Sequence, residues 1–130
     1  MAASPTFTST PRLVQGQVTA ANTARDGTGT LVTLLTGAAA GTKVFEIAVQ
    51  ATVTTTAGMV RIFISSDGGT NKRLFDEVAI AAATVSGSVK GTRLSTTYAN
   101  LVLPDTNSIL YASTHNAEAT NVFVMAGDLT

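Results

Sequence analysis

Residues 44–53 read VFEIAVQATV, and their alternation decides the fold. Phe45, Ile47, Val49, Ala51 and Val53 fall on one side of an extended chain, with Glu46, Ala48, Gln50 and Thr52 on the other. A period of two over ten residues predicts a half-buried β-strand with its apolar side on a core. The pattern then repeats. Thr54–Gly58 supplies a turn, and Met59–Ser65 resumes with Val60, Ile62 and Ile64 opposite Met59, Arg61 and Phe63, which points Arg61 towards solvent or a partner. Ser66–Asn71 (SDGGTN) collects residues that tolerate positive φ, so it predicts a hairpin onto Arg73–Ile80, where Leu74, Val78 and Ile80 share a face.

Working outward, shorter β-branched runs at Leu13–Thr19, Thr30–Leu35, Ser86–Leu94, Leu101–Leu103, Ser108–Thr114 and Asn121–Ala126 recur between Gly, Asn and Asp clusters. Strands at that spacing predict a sandwich or barrel. The three alanines Ala81–Ala83 are too few to nucleate a helix and are assigned to a loop or strand end. Residues 1–11 hold two of the three prolines among Ser and Thr, which favours extended backbone and gives no core. The expected organisation is an extended N-terminal arm over residues 1–11 and one domain over 12–130. That domain is an all-β, antiparallel, jelly-roll-like β-sandwich of eight or nine short strands.

Bulk composition narrows the function. Only 12% of the 130 residues are Asp, Glu, Lys or Arg, against about a quarter in an ordinary soluble domain, and eight acids balance eight bases. A neutral chain offers no field to draw nucleic acid or an anionic membrane, and its few aromatics are not interleaved with basic residues. No run approaches the roughly 18 apolar residues of a membrane helix, and Met1–Thr10 lacks the charged start and apolar stretch of a secretory signal. Without cysteine there is neither a disulfide nor a thiolate metal site. Near-zero net charge opposes association weakly, so a subunit covered by neighbours is favoured over a free monomer.

The residues that could carry chemistry read as structural. His115 is the only histidine and lies in a turn-like cluster, as a solvent-facing or hydrogen-bonded loop residue would. Asp76 and Glu77 are adjacent, so a strand sends them to opposite faces and they cannot work as a carboxylate pair. Asp26-Gly27-Thr28-Gly29 lacks the further acids of a calcium loop and the Lys of a phosphate loop, and reads as a turn. No enzyme active site, cofactor or metal is expected. Sugar binding would have to rest on Tyr98 or Tyr111, because there is no Trp, and Phe45, Phe63, Phe75 and Phe123 sit in strand patterns as core candidates. Phe7 alone stands in the polar arm, where it reads as an anchor for another chain.

Thr23–Thr30 (TARDGTGT), Gly41–Phe45 (GTKVF), Thr54–Arg61 (TTTAGMVR), the hairpin before Arg73 and Leu74, and Tyr111–Ala119 (YASTHNAEA) resemble small virion proteins of tailed bacteriophages and prophages. The resemblance spans everything outside the arm and holds no catalytic motif. It implies a capsid decoration or cement role on the outer shell, made in the host cytoplasm and carried on the virion. Joined to the low charge and the arm, it sets the expectation of a homo-oligomer, a trimer, bound to the major capsid protein, with Pro5, Phe7, Pro11 and Arg12 as capsid contacts. The alternatives are a head-fibre or tail-associated adhesin and a tail or connector component.

Overall fold

The computed structural model describes residues 8–129, and every regular element among them is a strand. In chain order these are β1 (Thr8–Val18), β2 (Val32–Thr36), β3 (Thr42–Ala51), β4 (Gly58–Ser65), β5 (Arg73–Ile80), β6 (Arg93–Leu103), β7 (Ile109–Thr114) and β8 (Thr120–Leu129). They form two four-stranded antiparallel sheets, ordered β1-β8-β3-β6 and β2-β7-β4-β5. Successive strands mostly alternate between the sheets, which is the double Greek key of a jelly-roll sandwich. The boundary expected at Pro11 falls inside β1, whose residues from Thr8 onward pair with β8. Met1–Phe7 lie outside the described residues.

The core sits between the sheets. Val44, Ile47 and Val49 of β3, flanked by Val122 and Val124 of β8, face Val60 and Ile62 of β4 and Leu110 of β7, and all are buried. Burying each such side chain contributes about 1.5–3 kcal/mol, which makes this layer the main source of stability in a chain without disulfides. Tyr98 closes one open side of the sandwich: its hydroxyl donates to Asp76 Oδ2 at 2.8 Å, tying β6 of one sheet to β5 of the other. Burial first, and the neighbouring Asp76 carboxylate second, push the Tyr98 phenol well above its ordinary range.

Two β-bulges change what strict alternation predicts. Val44 pairs with Ala126 and Glu46 with Met125, so Phe45 is an extra residue on β3. A bulge of this kind reverses the facing of everything before it. Val44 therefore points inward, Phe45 is 40% exposed, and Val53 lies past the strand end. On β5, Ile62 pairs with Asp76 and Phe63 with Leu74, which leaves Phe75 as the extra residue. Leu74 is consequently parted from Val78 and Ile80 and shares a face with Phe63 instead. None of the four phenylalanines expected in the core belongs to the inter-sheet cluster: Phe63 is buried on the opposite face of its sheet, Phe45 and Phe75 are exposed, and Phe123 is half-buried.

The strand expected at Ser86–Leu94 starts only at Arg93 and runs on through Leu101 to Leu103, so two expected strands are one, β6. Ser86 and Val89 bond each other across a tight turn, and the Ser86 hydroxyl accepts the Ser88 N–H at 3.3 Å. Ser and Gly side chains that satisfy a turn locally outcompete the ladder there. The hairpin between β4 and β5 forms as expected, with Gly68 and Gly69 at positive φ. Asp67 organises it by accepting the Asn71 N–H at 2.9 Å and the Ser65 hydroxyl at 2.8 Å.

Candidate functional site

The two outer faces of the sandwich are finished differently, and each carries a candidate site. Over the β2-β7-β4-β5 sheet the chain supplies its own roof, the connection 19–31 between β1 and β2. Asn22 N–H bonds the Thr114 carbonyl at 2.8 Å, and the Asn22 amide holds the loop together by donating to the Thr28 and Thr30 carbonyls and accepting the Ala24 N–H. Asp26 Oδ1 accepts the Thr28 N–H and hydroxyl, giving the turn expected there, with Gly27 and Gly29 at positive φ. Gly27 packs so closely on the Lys72 backbone that a Cβ would collide with its carbonyl oxygen.

Beneath this roof lies Arg61. Expected at a solvent or partner face, it is 4% exposed. Its strand parity was read correctly, but the loop covers the outer face to which it points. The guanidinium donates from Nε to Glu77 Oε2 at 3.0 Å and from Nη1 to the Asn22 carbonyl at 3.4 Å, while Nη2 lies 3.2 Å from His115 Nδ1. Glu77 Oε2 also receives Arg25 Nη1 at 2.9 Å, so the two cations share one carboxylate. An arginine cannot accept, so His115 Nδ1 must, and the neutral ring then carries its proton on Nε2. Asp76 and Glu77 do diverge as expected, one to Tyr98 and one to Arg61. Beside Arg61 and His115 opens a cleft of about 430 Å³, lined also by Ala57, Gly58, Met59, Ala79 and Ile80.

The β1-β8-β3-β6 sheet leaves its outer face bare. Strand register places Leu13 beside Met125, Gln15 beside Phe123, and Pro11 beside Gly127, all pointing away from the core. Val102 of β6 and the bulged Phe45 continue the row across β3. Leu13 is 69% exposed and Val102 42%, an apolar band running across four strands. Its only charges near the middle are Lys43, whose ammonium sits 5.7 Å from the centre of the Phe45 ring, and Glu46.

Of the expected capsid contacts, Pro5 and Phe7 lie outside the described residues. Pro11 is exposed on the bare face. Arg12 turns the other way, donating to the Thr36 carbonyl at 3.0 Å and pairing with Asp128 at 3.4 Å. Tyr111, a candidate sugar platform, is buried under Lys72. Tyr98 packs tilted against Phe75, ring centres 5.5 Å apart, with its hydroxyl committed to Asp76. Among the described residues no three His, Asp or Glu side chains come together as a metal site would require. Sequence reading missed Leu13, Val102 and Met125 on the bare face. The signal was present in Val122–Ala126 (VFVMA), where apolar residues occupy both parities and so both faces.

The strand order and the two outer faces define a jelly-roll β-sandwich with one face roofed and one open. No family model and no curated protein matches the chain. Among solved structures, a chain of the T13 viral particle of infectious bursal disease virus is similar at 18% identity, over 91% of this chain and 31% of that one, with a TM-score of 0.37. The structure of the Gt strain of that virus gives 19% identity over 98% and 29%, with a TM-score of 0.29, and the Gx strain 17% over 95% and 27%, at 0.29. This chain spans less than a third of the length of each.

Proposed function

We propose that this chain is a structural virion protein of a tailed bacteriophage, a capsid decoration or cement protein that binds the outer surface of the major capsid shell and stabilises it. The observation that carries the reading is the bare apolar band through Leu13, Phe45 and Val102. Exposed apolar side chains on neighbouring strands of one face, on a protein with no net charge, mark a surface made to be covered. The segment likeness to small phage virion proteins supports the virion address, and the jelly roll is an architecture that capsid domains use. In this reading each protomer sits in a trimer on the shell, and the residues before Thr8 add contacts to a capsid subunit.

Adding the purified chain to undecorated phage shells tests this directly. Saturable binding with threefold-related density is the expected result. The doubly substituted Leu13→Ser, Val102→Thr chain should remain folded, since both side chains are exposed, and should lose occupancy at least tenfold. Wild-type occupancy by that variant removes the band from the function, and no binding by the parent chain removes the decoration role.

A further inference from the structure

We infer that the cleft beside Arg61 and His115 is a second binding site, one that takes an acidic peptide segment: a carboxylate side chain next to an aliphatic one. The cleft is on the roofed side, away from the apolar band, so the inference does not depend on the decoration reading. Its lining holds two hydrogen-bonding side chains, Arg61 and His115, with Ala57, Gly58, Met59, Ala79 and Ile80 completing the wall. Both side chains line the cleft and carry N–H donors. Arg61 has five N–H groups and makes three bonds among the described residues, to Glu77, Asn22 and His115, which leaves two N–H groups over. His115 spends its acceptor on Arg61 and keeps an Nε2–H. A lining with donors and no unspent side-chain acceptor except a thioether is matched by a ligand that only accepts.

Charge points the same way. Arg25 and Arg61 face the single carboxylate of Glu77, so this cluster carries one positive charge in excess. Glu118 does not cancel it inside the cleft: its carboxylate is held by the Thr56 N–H and hydroxyl at 2.8–3.1 Å and is not part of the lining. A guanidinium recognises a carboxylate through paired N–H donors, and burial strengthens that bond by excluding water. Met59, Ala79 and Ile80 give the apolar part of the wall, which suits an aliphatic neighbour in the same segment and disfavours a small free anion.

The test is a titration of the ¹⁵N-labelled full chain with acetyl-Leu-Glu-amide, with acetyl-Leu-Gln-amide and sodium acetate as separate arms. Saturable shifts are expected at the Gly58, Met59 and His115 amides and at Arg61 Nε–H, at least tenfold weaker with the glutamine peptide and with acetate. Arg61→Lys should weaken binding. Because that substitution touches a buried ion pair, Ala79→Glu at an exposed lining position is the companion variant, adding a competing carboxylate to a chain that stays folded; it should abolish the shifts. Equal response to the glutamine peptide, equal response to acetate, no shift at these groups, or unchanged binding by Ala79→Glu would each overturn the inference.

Discussion

Removing the Glu77 carboxylate should cost far more than its partly exposed position suggests, because of what it leaves behind. Glu77→Ala strips the one negative charge from Arg61, whose side chain is 5% exposed, and from Arg25, which is 60% exposed and can turn to water. Breaking a buried pair by deleting one partner typically costs 3–5 kcal/mol. The Glu77 side chain is itself 23% exposed, so water reaches part of the pair and the lower end applies, about 2–3 kcal/mol. At roughly 3 °C per kcal/mol for a domain near this size, the melting temperature should fall by about 8 °C. Arg25→Ala removes only the exposed half of the bridge and should cost under about 1 kcal/mol. The double replacement Arg61→Met, Glu77→Leu removes both buried charges and should recover to within about 1 kcal/mol of the parent. Urea unfolding with a shared slope measures all three. If Glu77→Ala lies within 1 kcal/mol of the parent, or costs no more than Arg25→Ala, the picture of Arg61 as a roofed, ion-paired charge is refuted.

Gly27→Ala should destabilise by about 2 kcal/mol or more and speed exchange of the Asn22 and Thr28 amides, since a Cβ there meets Lys72 backbone at a φ of +87°, whereas Gly87→Ala, with open space around it, should be near neutral by the same unfolding assay. The Asp67 carboxyl should titrate at about 2, held down first by the Asn71 N–H, then by the Asn71 side chain and the Ser65 hydroxyl. A depressed folded value means its contribution is present above the unfolded value of 3.8 and lost as pH falls through about 2; ¹³C detection of the carboxyl should show this, with the midpoint rising in Asn71→Ala. Tyr98→Phe should cost about 1–2 kcal/mol by leaving Asp76 Oδ2 without its donor, while Oδ1 keeps the Glu77 N–H. The raised phenol contributes stability below its ordinary 10.0 that is lost as pH climbs above it, so the parent should weaken faster than Tyr98→Phe in alkaline unfolding series.

The fold class was legible because alternation in VFEIAVQATV and the turn cluster SDGGTN depend on neighbours in sequence alone. The order 1-8-3-6 over 2-7-4-5 was not, since it pairs Thr8 with Leu129 and Lys43 with Val102 across long stretches of chain. Both bulges were invisible for a related reason: Phe45 is an extra residue only relative to the length of β8 beside it. The β3 bulge turned outward a phenylalanine, Phe45, that period two had placed inside, and the β5 bulge parted Leu74 from the face of Val78 and Ile80. Arg61 shows the complementary failure. Its parity was right, but exposure also depends on a loop thirteen residues long crossing from β7 to β5, and nothing local in Met59–Ser65 reports that loop. Leu13 stayed hidden because β1 was read as beginning after the arm, and a lone Leu next to Arg12 gives no hint that Met125 lies beside it.

The geometry of β1 makes the remaining expectation about the arm sharper. Thr8 to Pro11 are paired with β8, so deleting residues 1–11 would cut into the sheet and confound folding with binding. Deleting residues 2–7 spares every described hydrogen bond. Pro11 and Leu13 lie on the bare face, a few residues from where that segment joins, so the segment and the apolar band are candidates for one continuous contact. Contacts that share an interface couple, whereas independent ones add. If both engage the same capsid surface, the deletion combined with Leu13→Ser and Val102→Thr should lower shell affinity by less than the sum of the two separate losses, with a coupling of about 0.5–3 kcal/mol measured by equilibrium binding. Strict additivity would separate them, leaving the band to contacts between protomers of the oligomer and the N-terminal residues to the shell, and the oligomeric mass of Leu13→Ser, Val102→Thr would then have to fall.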